Sequence, residues 1–150
     1  MATFEHSIDV NVPVRTAYDQ WTQFETFPQF MEGVEEVRQV SDTMLHWRAE
    51  IAGRTETWEA EITEQVPDQR IAWTSRTGAK NAGVVTFHYI DDATTRVMLQ
   101  LEYEPETVVE QAGAALGVVG RRIKGDLERF KEFIESRGEA TGAWRGEIEH

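Results

Sequence analysis

Apolar and polar positions alternate with a period of two over most of the chain. Between Phe4 and Val10, large side chains alternate with Glu, Ser and Asp, as expected for a half-buried strand. From Val34 to Tyr103 the alternation returns in about six runs, separated by turn residues such as Gly53. Because the gaps between runs are short enough for hairpins, the sequence predicts a curved antiparallel sheet of about seven strands with one apolar face.

Helical spacing interrupts this alternation once, directly after the first strand. Apolar residues recur every three or four positions over Val14–Phe24 and predict a short amphipathic helix. The segment Phe27–Met31 predicts a second, shorter helix, which ends at Gly33. Two short helices therefore precede the remaining strands.

A third helical pattern occupies the C-terminal part of the chain. An apolar stripe over Val109–Ile134 predicts one long helix of about 31 residues that ends at Gly138. We expect Asp126 and Arg129 to support the exposed side of this helix, because residues three apart are neighbours on a helix surface.

The sequence beyond the long helix has no periodicity. We therefore predict one ligand-binding domain over residues 1–137 and a C-terminal tail over residues 138–150, with Trp144 as the one possible anchor of the tail. We expect the tail to contribute little to stability.

Short packing and turn motifs occur in a fixed order through residues 3–137: Val12-Pro13, Phe27 to Phe30, Gly33 to Val37, Trp58 to Ile62, Val66 to Asp68, Ile71 to Trp73, Thr94 to Val97, and Leu127 to Ile134. They resemble the START/Bet v 1-like (SRPBCC) superfamily, in its polyketide cyclase/dehydrase branch, which includes coenzyme Q-binding proteins. The resemblance implies an α+β helix-grip fold. In this fold a curved sheet wraps around the long C-terminal helix and leaves a cavity between them.

Charge narrows the range of partners. The 150 residues include 15 basic and 27 acidic ones, a net charge of -12 with neutral histidines. The basic cluster of Arg121, Arg122 and Lys124 is too small to offset that charge, so we expect no nucleic-acid partner. The apolar stretch Ala112–Gly120 is far shorter than the ~20 residues that span a bilayer, so we expect no stable membrane insertion. The N-terminus lacks the pattern of a signal peptide, which predicts a cytoplasmic protein.

Motifs for catalysis do not occur in the sequence. There is no cysteine, the histidines lack metal-ligand spacing, and neither a nucleophile elbow nor a phosphate-binding glycine loop is found. We predict no metal, no cofactor and no catalytic residue.

In the aromatase/cyclases that the chain resembles, an arginine before the Val-Pro-Asp turn and a tyrosine after the Phe-Pro segment are associated with catalysis. Gln65 and Val34 hold those positions here, and neither can act as a general acid.

The candidate ligand site is a wall of aromatic residues. They fall on the apolar faces of consecutive strands, which two hydroxyl residues continue: Trp47, Trp58, Trp73, Phe87, Ser75 and Tyr89. Small residues around one leucine leave room in the first half of the long helix: Leu116, Gly117 and Gly120. We predict that these nine residues line an apolar pocket between sheet and helix. Ordinary core packing is the alternative explanation of the same pattern.

These observations favour the binding or carriage of a hydrophobic small molecule, such as a polyketide, a quinone or a lipid-like compound. An enzyme of the cyclase/dehydratase type is one alternative. A protein-interaction module with a vestigial cavity and a protein partner is another.

Overall fold

The computed structural model describes residues 2–78, 80–104 and 109–148; the side chains of residues 2 and 109–116 are not described. The strands are β1 (Ala2–Val10), β2 (Val34–Gln39), β3 (Met44–Ile51), β4 (Arg54–Val66), β5 (Arg70–Gly78), β6 (Lys80–Asp91) and β7 (Thr94–Glu104). The helices are α1 (Val14–Trp21), a 3-10 helix (Phe24–Gln29) and α2 (Val109–Arg137). The predicted α+β helix-grip order of elements is confirmed.

The strands form one antiparallel sheet in the order β1-β7-β6-β5-β4-β3-β2. Strands β2 to β7 follow one another as hairpins, whereas β1 pairs with β7 at the opposite edge from β2. The two short helices therefore carry the chain from one edge of the sheet to the other. This crossing places them at one end of the concave face, next to α2.

The apolar stripe of α2 is buried as the periodicity predicted. Val119, Ile123, Leu127, Phe130 and Ile134 follow one another at spacings of three or four residues, and all are buried. The helix lies mainly against β1 and reaches β7 and β3. It thus closes the concave face of the sheet.

Aromatic rings fill the space where α2 meets the two short helices. Trp21 of α1 lies edge-on to Phe130, with ring centroids 4.9 Å apart, and Phe30 packs on Phe130 at 5.3 Å. Phe27 of the 3-10 helix joins the same cluster at 5.5 Å from Trp21. Such tilted and edge-on contacts stabilise aromatic pairs beyond the burial of their area. This end of the molecule is filled.

The segment after α2 packs back on the domain more closely than the sequence predicted. The backbone N–H of Trp144 donates to Thr22 Oγ1 at 3.1 Å. Further on, Ile148 and Gln65 exchange two backbone hydrogen bonds and form an isolated antiparallel bridge beside β4. Trp144 was the only residue of this segment that the sequence predicted as an anchor; the bridge of Ile148 depends on the tertiary structure rather than on a local repeat.

Arg145 strengthens this attachment. Its guanidinium bonds Asp19 Oδ1 at 2.5 Å and Asp68 Oδ2 at 2.9 Å, and its Cζ lies 5.5 Å from the ring centre of Tyr18. Asp19 and Asp68 come from α1 and from the β4–β5 turn, so one side chain joins three segments. The expectation that the tail contributes little to stability stays a prediction, and these contacts argue against it.

Candidate functional site

A cavity of about 140 Å³ lies between the concave face of the sheet and α2. Most of the side chains around it are apolar, including Leu45, Ala49, Ile62, Ile71 and Leu99. The polar residues at its wall are Glu32, Asn81, Tyr103, Arg122 and Asp126. A concave apolar space with a few polar groups is the general form of a small-molecule site.

Trp47, Trp58 and Trp73 line this cavity. Trp47 of β3 and Trp58 of β4 are directly paired across the two strands, and their rings stack with centroids 5.6 Å apart and planes 10° from parallel. Side chains opposite each other on antiparallel strands lie close enough for such contacts. The alternation that defined the strands therefore also puts these two tryptophans side by side in the wall.

The Nε1 atom of Trp47 is buried and has no hydrogen-bond partner among the described residues. The rings that pack on Trp47 belong to Phe27, at 5.6 Å, and to Trp58. Neither ring carries an acceptor oxygen. An indole N–H that is buried in a protein usually has a partner, so Trp47, a residue of the cavity wall, holds an unused donor.

An ion-pair cluster, which we call the mouth, borders the cavity and consists of Glu32, Glu50, Arg122 and Asp126. Arg122 of α2 is only 15% exposed, and its Nη2 donates to Glu50 Oε2 at 2.9 Å. Its Nη1 donates to the backbone oxygen of Glu50, and its Nε lies 3.4 Å from Glu32 Oε2. The backbone N–H of Gly53 and the Arg122 guanidinium together lower the pKa of Glu50. The mouth thus joins α2 to β3 and to the segment before β2.

Asp126 lies one helical turn after Arg122. It accepts the backbone N–H of Glu32 at 2.9 Å and a bond from Arg129 Nη2 at 2.5 Å. Arg129 Nε donates to the backbone oxygen of Phe30 at 2.8 Å. Burial raises the pKa of the Asp126 carboxyl above its usual range, although both hydrogen bonds oppose that shift. The expected pair of Asp126 and Arg129 is present, but the side chain of Asp126 is only 16% exposed, because this side of α2 holds the segment around Phe30.

Three other strand residues of the predicted site lie away from the cavity. Phe87 is buried, but its ring packs on Tyr18 and Trp21 at the filled end. Ser75 uses its Oγ to accept the backbone N–H of Asn81 at 3.0 Å and lines a second, more open pocket of about 450 Å³ beside the cavity. Tyr89 is 62% exposed and donates to Asp92. The pairing of β6 with β5 ends at Thr86, so Tyr89 extends past the covered part of the sheet.

The predicted helical part of the site also differs. Gly117 is exposed, and a Cβ at Gly120 would lie 3.0 Å from the ring of Phe4 on β1. Neither glycine lines the cavity, because α2 turns Gly117 to solvent and Gly120 to β1. The side chain of Leu116 lies outside the described residues. The residues that α2 gives to the cavity are Val119, Arg122, Ile123, Asp126 and Leu127.

The polar residues of the mouth are the part of the site that sequence reasoning missed. Arg122, Asp126 and Arg129 are spaced by four and three residues, beside the apolar stripe. That spacing placed all three on one face of a helix. It did not show that Glu32 and Glu50, far away in the sequence, would meet that face.

The part of the chain that the structure describes contains neither a membrane-spanning helix nor a cluster of metal ligands. No helix there is long and apolar enough to cross a bilayer. No group of three or more His, Cys, Asp and Glu side chains there is arranged to hold a metal ion.

The curled sheet, the long helix and the apolar space between them define a START-like helix-grip protein. Residues 10–132 match the family described as polyketide cyclase/dehydrase and lipid transport, and the chain belongs to this family. The match does not assign the chain to the coenzyme Q-binding branch of the superfamily in particular.

Three known proteins are similar to this chain in sequence or in fold. An uncharacterized 17.2 kDa protein from the melC2-rnhH intergenic region of Streptomyces lincolnensis is 58% identical over 149 residues, which cover 99% of each chain. The Zhui aromatase/cyclase from Streptomyces sp. R1128 has a TM-score of 0.79 at 17% identity, over 95% of this chain and 99% of its own. A protein from Deinococcus radiodurans has a TM-score of 0.73 at 26% identity, over 91% of this chain and 99% of its own.

Proposed function

We propose that the protein binds and carries a hydrophobic small molecule, of polyketide, quinone or lipid-like type, in the cavity between sheet and α2. The observation that supports this most strongly is the tryptophan wall of Trp47, Trp58 and Trp73 around an open apolar space. An ordinary core would fill such a space, because unfilled volume beside apolar side chains costs stability. Membership of a family described by polyketide chemistry and lipid transport agrees with this proposal.

The size of the cavity limits how a ligand can be held. A volume of about 140 Å³ is below the roughly 300 to 1,000 Å³ of typical ligand pockets. It is close to the engineered cavity of roughly 150 Å³ that takes up benzene. One ring therefore fits beside the tryptophans as the cavity stands. A larger ligand requires the mouth to open, with its remainder passing between α2 and the segment before β2.

Calorimetric titration tests the proposal directly. A ligand of ~20 heavy atoms that gains about -0.3 kcal/mol per atom binds with a dissociation constant of tens of micromolar. We expect saturable binding of at least one of 1,4-naphthoquinone, a flavonoid and a fatty acid. Native mass spectrometry of protein purified from its own host would identify the class of a ligand that remains bound.

A cavity-filling variant shows whether binding occurs at this place. Ala49 lines the cavity, and Ala49→Leu should abolish binding by occupying it. Arg48, the preceding residue of β3, has a largely exposed side chain, and adjacent strand residues point to opposite faces, so Arg48→Leu is the matched control and should bind normally. No saturable binding of any of the three ligands by the unmodified protein would contradict the proposal, and equal binding by both variants would place the ligand elsewhere.

Cyclase or dehydratase activity is a second candidate. The observation in its favour is Asp126, an ionisable group at the cavity wall whose pKa is raised by burial, as is typical of general acids. Its two hydrogen bonds, from Glu32 and Arg129, already engage the carboxylate. Gln65 lies away from the cavity and donates to the Tyr18 hydroxyl at 3.1 Å, and Val34 is an apolar part of the wall. Loss of product formation from a poly-β-ketone substrate in Asp126→Asn would support this candidate. The interaction-module alternative stays a prediction.

A further inference from the structure

The indole nitrogen of Trp47 points to the kind of ligand that the cavity takes. Its Nε1 atom is buried without an acceptor among the described residues, although the side chain lines the cavity. Leaving a buried donor unpaired costs stability, and proteins rarely retain such a group without a compensating role. A bound molecule that supplies an acceptor would remove this cost.

The surroundings of Trp47 favour an acceptor that belongs to a ligand. Phe27 and Trp58 cover the indole with aromatic rings, and the neighbours of Trp47 on the same face of β3 are Leu45 and Ala49. A water molecule needs two to four polar partners to be held in a buried site. These five side chains offer it little besides the Trp47 donor, so an oxygen carried on an apolar ligand is the better match.

We infer that the cavity recognises a flat ring that bears a hydrogen-bond acceptor, such as a ketone or quinone oxygen, and that Trp47 Nε1 donates to this oxygen. The inference rests on the proposed function and narrows its ligand class. The ring lies against the tryptophan wall, while the oxygen pairs with the otherwise unused N–H. Pure hydrocarbons and simple fatty acyl chains leave that donor unpaired, so the cavity discriminates against them.

Acetophenone and isopropylbenzene form a matched pair of probes for this inference. They have nearly the same shape, and they differ because one carries a carbonyl oxygen where the other carries a methyl group. Calorimetry measures the dissociation constants of both probes for the unmodified protein and for Trp47→Phe. A hydrogen bond of ordinary strength predicts that Trp47→Phe weakens acetophenone binding about three- to tenfold more than isopropylbenzene binding. Comparing two proteins cancels the different solubilities of the probes.

Trp58→Phe is the control, because Trp58 lines the same wall and stacks on Trp47 but leaves the Trp47 donor in place. It should change the affinities of the two probes by the same factor. Nuclear magnetic resonance gives a direct readout, since the Trp47 indole N–H signal, assigned by its absence in Trp47→Phe, should move downfield with acetophenone only.

The outcomes separate this inference from the proposed function. If both probes bind but Trp47→Phe weakens them equally, or the Trp47 indole signal does not move, the inference is wrong and the cavity remains a general apolar site. If neither probe, nor any of the three larger ligands, binds to the unmodified protein, the proposed function itself fails.

Discussion

The apolar stripe of α2 continues through both halves of the helix, but the two halves pack against different surroundings. In the C-terminal half, Phe130 and Ile134 have no exposure, and Phe130 is enclosed by the rings of Trp21 and Phe30. In the N-terminal half, Ile123 is also buried but borders the cavity. Trp21, Phe24 and Phe27 of the two short helices also reach the cavity wall, but they do not fill the space there. A single amphipathic helix can therefore stabilise a fold at one end and leave space for a ligand at the other.

The polar contacts of α2 differ between the two ends as well. Arg122 and Asp126 hold the mouth through exposed partners such as Glu32, whose side chain is 61% exposed. At the filled end, Arg145 of the C-terminal segment bonds Asp19, which is only 12% exposed. Ion pairs with an exposed partner contribute little stability and exchange readily with water. Within the mouth, the contact with Glu32 is therefore the one that opens most easily, whereas the side chains of Arg122 and Asp126 are only 15% and 16% exposed.

Alanine substitutions of two isoleucines on α2 test this comparison, with the largest effect expected at the filled end. Ile134→Ala removes a side chain from a closely packed layer, so we expect the free energy of unfolding to fall by about 4 kcal/mol. Ile123→Ala removes a side chain that already borders empty space, so we expect a smaller loss of about 2 kcal/mol. Urea unfolding followed by tryptophan fluorescence measures both. Equal losses would show that the two halves do not differ in packing.

The fold could be predicted from the sequence because its information is local and repeated. Alternation defined the strands and placed Trp47 and Trp58 on the apolar faces of neighbouring strands. Their direct pairing depends on the register of β3 and β4, which the structure shows. The buried stripe of α2 followed from its spacing. The position of the filled end could not be predicted as well. Phe87 shows the same alternation as Trp73, and the local sequence does not distinguish a ring in the core from a ring in a cavity wall.

The site was predicted less well because its remaining features depend on distant segments. Tyr89 continues the apolar face of β6 in the sequence, but β5 ends before it and leaves it exposed. Gly117 and Gly120 are equivalent as small residues in the sequence. In the structure, Gly117 faces solvent, whereas Gly120, three positions further along α2, faces β1. The contact of Arg122 with Glu50 joins residues 72 positions apart. No periodicity carries that information.

Removal of the C-terminal segment tests whether it stabilises the filled end. A chain that ends at Gly138 loses the bridge between Ile148 and Gln65 and the bonds of Arg145 to Asp19 and Asp68. Because Asp19 then keeps only the exposed Arg15, 3.7 Å away, as a cation, we expect a loss of about 3 kcal/mol in the free energy of unfolding. Thermal and urea unfolding measure it.

A point substitution separates the ion pairs from the rest of the segment. Arg145→Gln should account for about half of the truncation effect. Arg96→Gln is the control, since Arg96 pairs with Asp9 and both side chains are about half exposed, so its loss should be below about 1 kcal/mol. A truncated chain that unfolds at the same urea concentration as the full chain would support the original expectation of a dispensable tail.

The alkaline stability of the protein reports on the filled end through Tyr18. Burial raises the pKa of Tyr18 to about 12, and Gln65 opposes this by donating to the hydroxyl. The unfolded chain has a tyrosine pKa of about 10, so the unfolded state loses the proton first as the pH rises. The contribution of the protonated Tyr18 to the free energy of unfolding is therefore complete below pH ~10. It falls by about 2 to 3 kcal/mol between pH ~10 and ~12.

Tyr18→Phe is the comparison for the alkaline measurement. It removes the titrating hydroxyl, so its free energy of unfolding should fall less steeply over the same pH range, although the loss of the Gln65 bond lowers its stability at neutral pH. Urea midpoints at a series of pH values measure both proteins. Parallel curves would mean that Tyr18 titrates in the folded state as it does in the unfolded chain.

The smallest expected effects concern two glycines in the N-terminal half of α2. Gly117 is exposed, and a Cβ there would meet only the flexible end of Arg121 at 3.4 Å. Gly117→Ala should therefore raise the free energy of unfolding by about 0.5 to 1 kcal/mol, through the higher helix propensity of alanine. At Gly120 a Cβ would lie 3.0 Å from Phe4, so the strain of moving that ring should cancel the same gain. Urea midpoints of the two variants, measured in parallel, resolve this difference.

Ligand binding by a bulkier variant completes the comparison of these glycines. The sequence placed Gly117 over the pocket, which predicted that Gly117→Phe abolishes binding. Because Gly117 faces solvent in the structure, we now expect Gly117→Phe to retain the affinity of the unmodified protein for 1,4-naphthoquinone. Gly120→Phe should instead push α2 away from β1 at Phe4 and lower the stability. A loss of binding in a folded Gly117→Phe variant would show that the N-terminal half of α2 turns this face toward the cavity when a ligand enters.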